Sequence, residues 1–177
     1  MLDAIVNSII PPELIVIIVS TLPVAELRAG VPMGMNLFHM PWYEALGLSI
    51  IGNLIPVPFL LLFWKGVAKA LSRTTIGARF VNWLFRRAER YKASTDKYGF
   101  QGLMLFVAIP LPGAGAWTGS TAAWVMGLKF WRAFLSICFG VIIDGFIIVG
   151  LSLLGWVGLA IGVIALIVLA LVGWWRF

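Results

Sequence analysis

The chain has 177 residues, 62% of them apolar and 11% charged, with a formal net charge of +6 and a mean hydropathy of +1.03. Soluble domains carry roughly 45–50% apolar and about 25% charged residues, and a fold of this size cannot hide the difference from water. That excludes a soluble enzyme, a nucleic-acid-binding module and a disordered chain. One cysteine, Cys138, and one histidine, His39, leave no internal disulfide and no structural metal set. No cofactor is expected, because no nucleophile–base set, Walker loop or dinucleotide fingerprint occurs.

The charge has an address. Nine of the thirteen Lys and Arg lie between Lys65 and Lys97, with only Glu89 and Asp96 opposing them, so the window carries +7 and the remainder −1. One basic loop in a polytopic protein belongs in the cytoplasm. Attraction to anionic lipid headgroups follows from the same charge, and nucleic acid is not the expected partner. The N-terminus lacks the basic region of a cleaved signal peptide, so the first apolar stretch is expected to stay.

In chain order, the first candidate span is Trp42–Trp64, 23 residues with Asn53, Pro56 and Pro58 inside it. Its length suits one crossing, and the prolines predict a kink or a freed carbonyl. Asn53 could line a polar path, but it is expected to bond that carbonyl. Arg73–Lys92 repeats Ile76, Phe80, Trp83 and Leu84 at helical spacing, which predicts an amphipathic helix lying on the cytoplasmic interface. The simpler alternative is a basic loop helix that only sets topology.

Tyr98–Leu128 spans 31 residues without a formal charge. It is too long for one span and too short for two, which need roughly 40. Pro110, Pro112, Gly113 and Gly115 at its middle predict a re-entrant hairpin of two half-depth arms, with a single kinked helix as the alternative. Phe130–Phe177 divides into spans at about 130–152 and 155–175, turning near Leu154-Gly155.

An 89-residue shift aligns the two halves without a gap and gives eight identities over Glu13–Leu62. Leu22-Pro23 falls on Leu111-Pro112, Gly30 on Gly119 and Trp42 on Trp131. By this register the first half also holds a hairpin, with arms near 12–22 and 25–38 and its tip at Pro23. Counting crossings, the hairpins enter from opposite sides. The expected fold is therefore all-α and polytopic, one membrane domain over 1–177. It has repeat one at 11–64, the basic segment at 65–97, repeat two at 98–152 and a C-terminal helix at 155–175. Inverted repeats with broken helices are a recurring transporter plan. The basic segment and the C-terminus fall inside the cell, and the N-terminus outside.

Three ionisable residues fall at membrane depth, where such groups are a functional-site hypothesis by default: Glu26, Arg28 and Asp144. Glu26 and Arg28, two apart, do not share a helix face. Asp144 lies about 22 Å beyond Lys129 along a helix and is the expected partner of Arg28. Glu26 then stays unpaired, a desolvated carboxyl able to take up and release a proton. The bland reading is an ion pair that only holds the hairpins together. Gly113, Gly115, Trp117, Thr118 and Ser120 put amides and hydroxyls at the second tip, where a helix start and Arg28 could hold a phosphate. Small-residue helix packing is the other reading.

Glu26-Leu-Arg-Ala-Gly-Val-Pro32 and Pro110-Leu-Pro-Gly-Ala-Gly-Ala-Trp-Thr-Gly-Ser120 resemble the small multidrug export family, related to the DedA (SNARE-associated, VTT) superfamily. The resemblance covers roughly residues 10–150. It implies two inverted re-entrant hairpins, each followed by a transmembrane helix, in a prokaryotic plasma membrane. It also implies movement of lipids or lipid-linked phosphates, with embedded acids and arginines functional. On this reading the chain is a flippase of an anionic lipid such as polyprenyl phosphate, with protons as the coupling ion. The alternatives are a gradient-independent scramblase, a proton-coupled exporter of small cationic drugs, or a non-transporting scaffold. Membrane lipids and a second copy of the chain are the expected partners.

Overall fold

The computed structural model describes residues 10–95, 99–111 and 113–155, and among them every regular element is a helix. The expected C-terminal crossing at 155–175, apart from Gly155, and the Pro112 tip lie outside the described residues. The helices are α1 (Pro12–Thr21), α2 (Glu26–Pro32), α3 (Trp42–Leu54), α4 (Pro56–Leu71), α5 (Thr75–Thr95), α6 (Gly99–Ala108), α7 (Ala116–Val125) and α8 (Phe130–Leu153).

Proline placement sets most of the boundaries. Pro12 opens α1 at a position where a missing N–H costs nothing. Leu22 is extended (φ −71°, ψ 140°) because it precedes Pro23, and α1 ends there. Pro32 closes α2 and is followed by one π-helical turn, Met33–Leu37, closed by Phe38 N–H donating to the Met33 carbonyl at 3.1 Å. In the second half, α6 stops before Pro110, and Gly113 adopts a left-handed φ of 79°. Neither 12–38 nor 98–128 runs as one unbroken helix.

Trp42–Trp64 and Phe130–Leu153 are long and apolar enough to cross a membrane. The first is divided at Ile55, before Pro56, and bends again at Phe63 (φ −116°, ψ 18°). Pro56 has no N–H to give the Gly52 carbonyl. The Thr21 hydroxyl, at the end of α1, shares its one hydrogen between that carbonyl at 2.9 Å and the Ile17 carbonyl at 3.0 Å. The expectation that Asn53 takes a freed carbonyl is corrected here. Asn53 is buried, and neither of its amide atoms has a partner.

Helix α8 is apolar on both sides, and the sides differ in size. Ala133, Ile137, Gly140, Val141, Asp144 and Ile148 point inward, while Trp131, Leu135, Phe139, Phe146 and Leu153 point out. The rings of Trp131, Phe139 and Phe146 lie outside and Ala133, Ser136, Gly140 and Gly145 inside, a pattern that suits lipid, where close backbone packing drives association. The same device recurs in both halves. A Cβ on Gly52 of α3 would strike the Ile17 carbonyl of α1, and one on Gly140 of α8 would lie 2.7 Å from the Met104 carbonyl of α6. Gly30 of α2 packs on Ser20 and Ser49, and Gly119 of α7 on Val107 and Ile137.

Helix α5 does form, over Thr75–Thr95, and of its expected apolar face Phe80 packs within the protein while Ile76 and Trp83 stay on the surface. Ile76 is 83% exposed and Trp83 is exposed, whereas Gly77 and Val81 are buried. Phe80 and Phe85 pack against α7 and α4 through Trp117, Trp124 and Trp64. The helix thus rests on the second broken element, where its aromatic residues find rings to pack against. The helix spacing alone could not reveal these partners.

Candidate functional site

The site lies where the two breaks meet. The first break delivers Glu26 at its end, and Glu26 takes a left-handed φ of 48°. Such a conformation is uncommon for a residue with a side chain and costs of order 1–3 kcal/mol. It is held because the carboxylate has a destination, the start of α7. Glu26 Oε1 accepts the Trp117 main-chain N–H at 3.3 Å. A Cβ on Gly115 would lie 2.6 Å from Glu26 Cδ, so only glycine lets the carboxylate come so close. Sequence reasoning expects an exogenous anion at this helix end. The acceptor found there is the chain's own Glu26 carboxyl group.

Two residues on, Arg28 points into the second break. Its Nε donates to Asp144 Oδ2 at 3.3 Å. Nη1 donates to the Leu111 carbonyl, and Nη2 to those of Ile109 and Ala114. All three nitrogens are engaged. Pro110 and the glycines keep this backbone from forming a helix; the Ile109 and Leu111 carbonyls accept the N–H groups of Leu111 and Ala114 at 2.7 and 2.9 Å, and the guanidinium adds a second donor to each and reaches the Ala114 carbonyl as well.

Asp144 is 1% exposed and Glu26 4%, whereas the Arg28 side chain keeps 17%. Two buried carboxyl groups face one guanidinium. Each keeps one buried oxygen with no partner, Glu26 Oε2 and Asp144 Oδ1. A fully ionised site would carry an excess negative charge, and it has two acceptor oxygens open to a proton or a cation.

The remaining expected residues are placed as follows. Thr118 Oγ1 accepts the Gly115 N–H at 3.0 Å and closes the first turn of α7. Ser120 returns its hydroxyl to the Ala116 carbonyl at 2.7 Å. The Trp117 indole donates to the Thr21 carbonyl at 3.1 Å, and its ring meets Phe80 edge-on. Gly113 supplies the left-handed turn. Pro23 and Pro110 stand in the two breaks, next to the site.

Sequence reasoning misses Thr21, which ties α1 both to the freed Gly52 carbonyl and, through its own carbonyl, to Trp117. A hydroxyl at a helix end together with a proline in the next span was the available signal. It also misses the use of Arg28 on main-chain carbonyls. The proline positions carried a hint, since each removes a main-chain N–H.

The comparisons bear on this segment. Residues 26–147 match the family described as "Putative small multi-drug export protein". The match begins at Glu26 and takes in the whole charged cluster. Comparison with curated proteins and with solved structures returned no match. Since the matched segment is well over half of the chain, this membrane protein belongs to the small multi-drug export family.

Proposed function

We propose that the chain is a proton-linked membrane exporter of small cations, with Glu26 alternating between a proton and the substrate. One observation carries this reading. Every nitrogen of Arg28 is engaged by Asp144 or by main-chain carbonyls, while Glu26 and Asp144 each keep a buried oxygen without a partner. These contacts take four of the five guanidinium N–H groups, so the site offers an anion one donor and a cation two open carboxyl oxygens. The ring of Trp117, beside Glu26, adds a face that a flat cation can stack on.

The architecture that goes with this reading has α1–α2 and α6–α7 as two re-entrant hairpins of an inverted repeat. They enter from opposite leaflets of a prokaryotic plasma membrane. The basic segment 65–97 and the C-terminus lie in the cytoplasm, the former against anionic headgroups. Broken helices that meet at mid-depth beside embedded charges suit alternating access. A second copy of the chain is the natural partner for so small a bundle.

A flippase of anionic lipid, whether driven or passive, needs Arg28 and the tip amides free to hold phosphate. Engaged Arg28 nitrogens and the self-bonded Thr118 and Ser120 speak for the cation instead. The test is reconstitution in proteoliposomes with an imposed proton gradient, following a fluorescent cationic dye and a labelled lipid phosphate in parallel. The expected result is gradient-dependent dye movement that Glu26→Gln abolishes, with the lipid left in place. Movement of the lipid with no dye transport would replace this reading with the flippase.

A further inference from the structure

We infer that Ser20, Ser49 and Asn53 form an internal hydration site between α1, α2 and α3. Ser20 and Ser49 are 0% exposed and Asn53 1%. Both hydroxyls and both amide atoms of Asn53 lack any partner within the protein. Leaving one such group unsatisfied costs about 1–3 kcal/mol, and four together are not sustained without a ligand.

These hydroxyls differ from the other buried ones. Ser120 and Thr121 turn back to carbonyls four residues earlier, at 2.7 and 3.0 Å, and Ser136 crosses to the Phe100 carbonyl at 2.5 Å. Ser20 and Ser49 do neither, and both converge on Gly30. A Cβ there would lie 2.8 Å from Ser49 Oγ and nearer still to Ser20 Oγ. Asn53 stands one turn beyond Ser49 on the same face of α3.

The second half supplies a control. Its corresponding glycine, Gly119, packs on Val107 and Ile137, so this helix arrangement closes well with apolar side chains. The packing does not call for the hydroxyls of the first half. What they share is a balance of donors and acceptors with no formal charge. That suits water, which typically takes about three such partners, better than an ion.

The position gives the water a use. Gly30 follows Glu26 by one helical turn, and Thr21, next to Ser20, holds the Trp117 indole. Water here is a hydrogen-bonding relay whose glycine floor, Gly30, lies one turn from Glu26 along α2. The relay rests on the exporter reading, whereas the hydration site does not.

Two measurements test it. In a crystal structure of the full chain from a lipidic mesophase, ordered water is expected within hydrogen-bond distance of at least two of the three side chains. A dry cluster, with the hydroxyls bonded to each other or to carbonyls, overturns the site. Stabilisation by sodium but not choline, lost in Ser20→Ala/Ser49→Ala, overturns water in favour of a cation. In proteoliposomes that double variant should slow gradient-driven proton uptake by at least about tenfold while leaving equilibrium dye binding unchanged. Ser49→Ala alone serves should the double variant fail to fold. Wild-type uptake by the variant overturns the relay. Should Glu26→Gln also take up protons at the wild-type rate, it is the exporter reading that has failed, and the water density still decides the site.

Discussion

Arg28 and Asp144, 116 positions apart, meet at 3.3 Å between the first broken element and the middle of α8. The guanidinium does more than pair. It also holds the carbonyls of the second break, so one side chain fastens α2, the 109–114 backbone and α8 together. Truncating one partner of a buried pair leaves the other charge uncompensated, a loss of about 3–5 kcal/mol. Arg28→Ala should therefore lower the unfolding free energy in nanodiscs by about that much and bring the thermal midpoint down with it. Arg28→Lys should not restore it, because a point charge cannot reach Asp144 and three carbonyls at once. A midpoint unchanged in Arg28→Ala would show that the clasp is not needed.

Gly115 is the residue that admits Glu26 to the start of α7. Gly115→Ala should cost roughly 1–3 kcal/mol through overpacking, since its methyl would fall on the Glu26 carboxylate. Glu26→Ala removes the obstacle, and Gly115→Ala/Glu26→Ala should be more stable than Gly115→Ala alone. Additive losses in that double variant would place the carboxylate elsewhere.

Thr21 and Pro56 form a second coupled pair. Without the Thr21 hydroxyl, the Gly52 carbonyl loses its donor, so Thr21→Val should destabilise by about 1–3 kcal/mol. Pro56→Ala returns an N–H to that carbonyl, and against this background Thr21→Val should cost less than half as much. A double-mutant cycle by thermal unfolding measures the coupling directly.

The fold was legible where prolines and charges constrain it. Pro23 and Pro110 announce the breaks, Trp42 and Phe130 open the long spans, and Lys65–Lys97 marks the basic segment. The Arg28–Asp144 pairing followed from two charges at one depth with no other partner for the cation. The partners of α5 were not legible, because Phe80 and Phe85 pack on Trp117 and Trp124, far away in sequence. Nor was the direction of Arg28 toward carbonyls. Main-chain acceptors look alike in every sequence, and only the geometry of a break tells which ones face a given side chain.

Glu26→Gln keeps an acceptor for the Trp117 N–H, so it should fold and unfold much like the parent protein while losing gradient-linked export. A collapse of stability in this variant would assign the carboxylate to architecture alone.

The most direct test is proton release on binding. A lipophilic phosphonium cation is added to lightly buffered protein in detergent micelles, and the pH is followed. If Glu26 exchanges a proton for substrate, the parent protein acidifies the solution in proportion to the cation bound, and Glu26→Gln binds weakly and releases no proton. Cation binding without proton release, or equal release by Glu26→Gln, would contradict the account.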